Sequence, residues 1–151
     1  NGWDIPRMLI DYPFETTRVA VNLILQGVVQ RYPNIKFILS HSGGTLPFLA
    51  HRIAIFDKDM PFRDNYPEGA LSYFRRFWFD TALSGDAIPL AGLTGIADKS
   101  RILFGTDYPY ISTEKVTEEC DGFDAWDGFN DAERAAVNRG NAETLFPRFA
   151  S

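Results

Sequence analysis

Three short and almost continuously apolar runs recur along the chain, each bounded by polar or glycine-containing segments. They cover residues 35–40, 77–81 and 101–104. Runs of this length and composition are typical of strands that are buried on both faces, as in a parallel sheet. The pattern therefore predicts three parallel strands.

Around these runs, apolar residues recur with the spacing of a helix. The pattern predicts helices over 14–32, 45–58, 69–76, 86–97, 113–120 and 131–146. Asn130 or Asp131 would cap the last of these helices. Residues 1–13 hold two prolines and no steady period, which predicts a loop.

The order of these elements predicts the fold class. Strands that alternate with helices imply parallel pairing and an α/β architecture. Three strands make a poor doubly wound sheet, and a closed (β/α)8 barrel needs eight strands and about 250 residues. The chain has 151 residues and begins with Asn1 rather than Met. We therefore expect a single partial domain over residues 1–151, forming the C-terminal portion of a larger protein.

The composition narrows the possible partners and the cellular setting. The formal net charge of −5 argues against a nucleic-acid partner, which requires clustered Lys and Arg. The single cysteine, Cys120, excludes a disulfide within the chain and argues against a cysteine-based zinc site. The chain contains no apolar run of about 18 residues that would predict a membrane span. Its start has neither the basic nor the apolar region of a signal peptide. We expect no membrane partner and a reducing, cytoplasmic setting.

Candidate chemistry lies where the predicted strands end, since parallel α/β folds carry their functional groups there. His41, Asp80 and Asp107 meet this condition. His41 could act as a base, acid or ligand near neutral pH, or it could be a buried structural residue. Asp107 could ligate a divalent metal or relay a proton, or it could cap the glycine-containing turn. For Asp80 we favour a hydrogen bond across the strand ends or a supporting role behind the site.

Arg52 is a further candidate, on the helix predicted over 45–58. This helix has two apolar faces, the first with Leu46, Leu49, Ala50 and Ile53 and the second with Phe48, Ile55 and Phe56. Two such faces indicate burial on both sides, one of them against another subunit or segment. Arg52 lies within the second face, where it would need an anionic partner, unless it extends to solvent. His51 is expected in packing or on a solvated face.

Two ordered motifs resemble a known family. The sequence HSGGTLPF at 41–48 and LFGTDYP at 103–109 is similar to the C-terminal half of the amidohydrolase-2 family. This family includes the aminocarboxymuconate-semialdehyde, resorcylate and 6-methylsalicylate decarboxylases. Residues 12–18 and 31–34 are also similar to its 6-methylsalicylate decarboxylase-like branch.

The resemblance implies a (β/α)8 barrel in which the three strands are the sixth to the eighth. His41 then matches the catalytic histidine at the end of strand six, and Asp107 matches the metal ligand at the end of strand eight. Arg52 matches an arginine that reaches the site of a neighbouring subunit and holds the substrate carboxylate. A homodimer follows from that role, and it would explain the two-faced helix.

The resemblance also implies metal ligands that this sequence lacks. The family has a His-x-His or Glu-x-His pair on strand one and a histidine at the end of strand five, and neither is present. His51 lies mid-helix and cannot substitute for them. Since a catalytic metal site needs at least three protein ligands, Asp107 alone does not complete one.

The leading hypothesis is a Zn²⁺-dependent, or alternatively Mn²⁺-dependent, decarboxylase of a small aromatic or unsaturated carboxylic acid in the full-length protein. His41 would move a proton or position the reacting group, and Asp107 would bind the metal and could also deliver a proton. A lactonase-like hydrolase on the same barrel is a second hypothesis. A third is that the chain alone is a non-catalytic, truncated piece.

Overall fold

A three-stranded parallel sheet lies at the centre of the computed structural model, which describes residues 5–150. The strand order is β1 (Ile38–Leu39), β2 (Trp78–Asp80) and β3 (Ile102–Leu103). The register pairs Ile38 with Trp78 and Phe79 with Ile102. The predicted three parallel strands are confirmed, although each is shorter than its apolar run.

The third strand ends early because the next backbone N–H bonds outside the sheet. After β3, the backbone N–H of Phe104 donates to the carbonyl of Val137, which belongs to a helical turn (3.0 Å). Before β2, the ring of Phe77 is buried in the core.

Helices precede, connect and follow the strands. They are α1 (Asp11–Leu25), α2 (Val28–Arg31), α3 (Leu46–Phe56), α4 (Ala70–Phe74), α5 (Ala87–Ile96), α6 (Thr113–Ala125), α7 (Asp131–Ala135) and α8 (Asn141–Leu145). Short 3₁₀ turns lie at Arg7–Leu9, His41–Gly43, Asp57–Asp59, Arg63–Asn65, Lys99–Arg101 and Pro147–Phe149. Within residues 5–150, no helix is both long and apolar enough to cross a bilayer.

The first predicted helix differs from the observed one at both ends. The expected loop over 1–13 is wrong for its last three residues, since α1 already begins at Asp11; residues 1–4 lie outside the described range. Pro13 is tolerated because it stands in the first turn. The predicted continuous helix over 14–32 is broken at Gly27, whose φ of +68° is left-handed and ends a helical run.

The last predicted helix is continuous in space but not uniform. Asn130 caps it as predicted, and the Glu133 side chain, which accepts the backbone N–H of Asn130, completes a capping box. A π-helical turn, Ala136–Gly140, separates α7 from α8. Its Val137 carbonyl accepts the N–H of Phe104 after β3, and this bond outside the helix accounts for the widened turn.

Aromatic and aliphatic side chains from the sheet and the helices form one core. Its fully buried members include Ile24, Leu46, Tyr73, Phe74, Phe77, Phe79, Leu90, Leu93, Ile102, Phe123 and Val137. On α3, Leu46 and Ala50 are buried as the first apolar face predicted, whereas Phe48 of the second face is 89% exposed. The second face is therefore largely uncovered by the part of the chain that the structure describes.

Candidate active site

The carboxyl ends of the three strands converge on one cavity of about 630 Å³. His41 follows β1 and Asp107 follows β3, and both line this cavity. The other lining residues in the described part of the chain are Met8, Leu9, Tyr12, Pro13, Gly44, Leu83, Ser84, Tyr110 and Ile111. The structure thus brings two predicted site residues together in a mainly apolar pocket, where parallel α/β folds carry their ligands.

His41 is held at both its backbone and its ring. Its backbone N–H donates to Asp80 Oδ1 (2.9 Å), and its ring Nδ1 lies 3.0 Å from the carbonyl oxygen of Ala82. A carbonyl oxygen can only accept a hydrogen bond, so Nδ1 carries the proton. In the neutral imidazole, Nε2 is then the free acceptor.

Asp80 connects the ends of β1 and β2. Its Oδ1 accepts a second N–H, from Ala82 (3.1 Å). Burial raises the pKa of Asp80, and the negative charge of Asp107 raises it further, while the two bound N–H groups and the charge of His41 oppose that shift. The sequence prediction of a hydrogen bond across the strand ends is therefore confirmed.

No N–H group within residues 5–150 donates a hydrogen bond to the carboxylate of Asp107. Its backbone carbonyl accepts the N–H of Tyr110 (2.9 Å), and the hydroxyl of Thr106 accepts that of Tyr108 (3.4 Å). The capping role that the sequence left open for Asp107 thus falls to Thr106 in this turn. The Asp107 oxygens remain available to a ligand in the cavity.

The backbone around the cavity is strained. His41, Ser42, Leu83 and Asp107 have φ values of +54°, +55°, +51° and +67°, although none of them is glycine. Left-handed backbone at such residues costs about 1–3 kcal/mol each and is concentrated at functional sites. Tertiary contacts must hold these residues in place, because their side chains disfavour the conformation.

The N-terminal turn of α1 packs on the loop that follows His41. Thr17 Oγ1 lies 2.9 Å from Thr45 Oγ1 and accepts the backbone N–H of Thr45 (2.8 Å). A Cβ atom on Gly44 would collide with the carbonyl oxygen of Pro13. The two glycines after His41 therefore permit a close backbone approach, and in this chain the approaching group is α1.

Arg52 lies away from this cavity. It is exposed on α3, with its guanidinium 6.0 Å from the centre of the Phe56 ring. The structure therefore does not bring Arg52 to His41 and Asp107 of the same chain. His51 is also exposed, which agrees with a solvated face.

The donor set for a metal is incomplete in the described residues. Residues 5–150 contain no group of three or more His, Cys, Asp or Glu side chains placed to hold a metal ion. The Asp107 carboxylate and the His41 imidazole are suitable donor types and line one cavity. They fit as part of a metal site, whose remaining protein ligands would come from outside this range.

The wall formed by the N-terminal segment was missed in the sequence. Met8, Leu9 and Tyr12 line the cavity, whereas the sequence predicts only a loop over residues 1–13 and names no site residue there. A usable signal in the sequence was the apolar run at 8–10 between Pro6 and Pro13, since apolar residues in a loop need a ligand or another segment to cover them.

A parallel sheet with helices between its strands, and with its polar groups at the strand ends, fits a partial (β/α)8 barrel. The chain belongs to the amidohydrolase family, whose model matches residues 5–148. Both the predicted family and the predicted partial barrel are confirmed.

Individual relatives are decarboxylases. The 6-methylsalicylic acid decarboxylase of Penicillium expansum is 38% identical over 149 residues, covering 98% of this chain and 45% of the relative. A solved amidohydrolase II structure has a TM-score of 0.84 at 25% identity, covering 94% of this chain and 45% of that one. A dihydroxybenzoic acid decarboxylase from Polaromonas, solved with manganese and 2-nitroresorcinol, has a TM-score of 0.74 at 27% identity, with 89% and 40% coverage. The chain thus spans less than half the length of these proteins.

Proposed function

We propose that the complete protein is a metal-dependent decarboxylase of a small aromatic carboxylic acid. The observation that carries this proposal is that His41 and Asp107 line one cavity at the strand ends of a chain related to such decarboxylases. An unsaturated, non-aromatic carboxylic acid is the alternative substrate class.

The cavity suits a substituted ring. Its walls are largely aliphatic and aromatic, with Leu9, Leu83 and Ile111 beside Tyr12 and Tyr110. Apolar walls of this kind bury a ring, while a few convergent polar groups fix its orientation. His41 and Asp107 are those polar groups in this chain.

Asp107 would hold a divalent metal ion together with donors from outside residues 5–150. When bound, the ion would withdraw electron density from a substrate oxygen. Zinc is the proposed metal, and manganese, which the Polaromonas enzyme binds, is the alternative. The unbound carboxylate oxygens of Asp107 support this assignment.

Decarboxylation breaks the bond between the ring carbon and the carboxylate, and its electron pair stays on the ring carbon. That carbon takes up a proton as carbon dioxide leaves. Asp107 would deliver this proton, and His41, with Nε2 free toward a partner, would position the reacting group or move a proton.

Arg52 would bind the substrate carboxylate in the site of a second subunit. Its exposure on the uncovered face of α3, away from its own cavity, supports a role in trans. A homodimer and a cytoplasmic location belong to the same proposal. In a dimeric enzyme, Arg52→Ala should raise the KM for the carboxylate substrate more than it lowers kcat.

The direct test is carbon dioxide release from hydroxybenzoates by the metal-loaded complete enzyme. Asp107→Ala should lower kcat by about 10²–10⁴-fold, the usual contribution of a group that transfers a proton. Asp98→Ala is the matched control, because Asp98 also follows a structural element, and within residues 5–150 its side chain accepts hydrogen bonds only from Ser100. Normal turnover by the Asp107 variant would exclude the proposed role.

The same assay separates a lactonase-like hydrolase from a decarboxylase. A lactonase would acidify the solution on opening a lactone without releasing carbon dioxide. Metal titration of the 151-residue chain addresses the third hypothesis, a chain that is not catalytic alone. Weak, non-stoichiometric binding is expected, and stoichiometric binding at micromolar or lower metal would contradict that hypothesis.

A further inference from the structure

A closed circuit of hydrogen bonds joins the loop after β1 to the end of β2. Asp80 Oδ1 accepts the backbone N–H of His41 (2.9 Å) and that of Ala82 (3.1 Å). The carbonyl of Ala82 in turn meets Nδ1 of the His41 ring (3.0 Å). One carboxylate oxygen therefore fixes both the backbone that carries the imidazole and the backbone that binds the imidazole.

We propose that Asp80 is the positioning residue for His41, setting the orientation and tautomer of its imidazole through Ala82. Asp80 is neither the proposed metal ligand nor the proposed proton donor. Its catalytic consequence rests on the proposed function, but its structural content does not.

The left-handed backbone at both ends of this circuit requires a restraint that the local sequence does not provide. His41 has a φ of +54° and Leu83, next to Ala82, a φ of +51°. Neither residue favours this conformation, so both segments would relax without an external restraint. Bonds from backbone N–H groups to an ionised carboxylate are stronger than those to a neutral oxygen, which suits Asp80 to that restraint.

Relaxation would act on the imidazole. If Ala82 moved, its carbonyl would no longer accept the Nδ1 proton, and the neutral ring would exchange between its two tautomers. The free nitrogen that faces a ligand would then be variable. Partners behind a metal-ligating histidine commonly fix its tautomer and ring orientation, and their loss costs about 10–100-fold in activity or metal affinity. We expect a loss of the same order for His41.

Histidine NMR tests directly whether Asp80 fixes the tautomer of His41. The chain has two histidines, His41 and the exposed His51, so ¹⁵N-histidine labelling gives one reporter and one internal control. In the unaltered chain, His41 should show a protonated Nδ1 and an unprotonated Nε2. Asp80→Ala should move it to the mixed signature of an exposed neutral imidazole, and Asp80→Asn, which keeps an oxygen acceptor, should restore most of the original one.

Asp98→Ala is the control variant. It also removes a carboxylate that accepts a backbone N–H, but this N–H belongs to Ser100. It should leave the His41 signals unchanged. An Asp80→Ala chain whose His41 keeps its tautomer would overturn the proposal, as would an unaltered chain whose His41 resembles His51.

Hydrogen exchange keeps the proposal testable if Asp80→Ala does not fold. Asp80→Asn replaces two charge-assisted bonds with neutral ones. The amides of His41 and Ala82 should then exchange several-fold faster, whereas the amide of Ala70, bound by Asp57, should not change. Equal exchange in both chains would reject the restraint.

Steady-state kinetics of the full-length enzyme test the catalytic consequence of losing Asp80. Asp80→Ala should lower kcat by about 10–100-fold with little change in KM, and Asp80→Asn should recover much of the loss. If the unaltered enzyme releases no carbon dioxide, the proposed function fails, and the NMR result still decides the role of Asp80.

Discussion

Gly44 shows how a single residue sets the site. Its φ of +66° and ψ of −122° lie in a region that is essentially restricted to glycine. The carbonyl of Pro13 occupies the space that a side chain would need. The loop after His41 and the first turn of α1 can therefore meet only with glycine at this position.

We expect Gly44→Ala to lower the free energy of unfolding by about 2 kcal/mol or more, since backbone strain and a clash with backbone atoms add together. Chemical denaturation measures this loss. Gly95→Ala is the matched control: nothing lies within 4 Å of its added Cβ, and α5 should gain about 0.5–1 kcal/mol from the better helix former. A Gly44 variant as stable as the unaltered chain would contradict the described contact with Pro13.

His41, Asp80 and Asp107 were identified from sequence because each stands at the end of an apolar run. For Asp80 the sequence favoured a hydrogen bond across the strand ends without naming its partner, and for Asp107 it left a metal ligand and a turn cap open, since it shows only that each carboxylate lies where a strand ends. The hydrogen bonds of Asp80 and the unbound oxygens of Asp107 distinguish them. The bond from His41 to Asp80 joins residues 39 positions apart, beyond any local pattern.

At the scale of elements, the start of α7 is fixed by a small polar network. Glu133 Oε2 accepts from Lys99 Nζ (2.8 Å) and from the backbone N–H of Asn130 (3.1 Å). The bond from Lys99 lowers the pKa of Glu133 below its ordinary 4.5, and the bond from Asn130 lowers it further. The network ties the start of α7 to the turn that precedes β3.

This lowered pKa predicts a pH dependence. A carboxyl whose pKa falls on folding stabilises the fold above its ordinary pKa, and the stabilisation is lost as the pH falls through the folded value. Glu133→Gln should therefore lower the Tm at neutral pH, and the difference should shrink progressively as the pH falls below 4.5. Melting curves across this range provide the measurement.

Glu118→Gln, an exposed position on α6, is the control for loss of one negative charge. A Tm difference for Glu133→Gln that stayed constant at acidic pH would argue against the network.

The sequence predicted helices and strands correctly where the spacing of apolar residues determines them. It failed where the conformation or hydrogen bond of a single backbone group determines the structure. The three strands and the capped helix at Asn130 follow from local pattern. The break at Gly27 and the π turn at Ala136–Gly140 do not. The first depends on one left-handed residue, and the second accompanies a bond from Phe104 to Val137, far away in sequence.

At the scale of the whole molecule, one surface groove is lined mainly by apolar residues. It has a volume of about 230 Å³ between α3 and α5, and Phe48 and Ile88 on its rim are 89% and 84% exposed. Gly44 and Ser84 line both this groove and the candidate active site. Large exposed apolar residues in one patch mark association surfaces.

We expect the chain to self-associate through this groove, in keeping with the proposed homodimer. A Phe48→Ser/Ile88→Ser variant should be more monomeric at a given concentration, as measured by sedimentation velocity over a concentration series. Phe149→Ser removes another exposed aromatic side chain far along the chain and should have little effect. Equal association of all three chains would assign it to another surface, such as the unpaired edge of β1.

The sequence by itself determined the order of strands and helices, the strand-end positions of His41, Asp80 and Asp107, and the family. Each of these depends on residue type and spacing within a short window. Only the tertiary structure decided which carboxylate supports His41, why Gly44 must be glycine, and which face of α3 remains uncovered. The physical reason is that these properties arise from contacts between segments distant in sequence, such as Thr17 with Thr45 and His41 with Asp80.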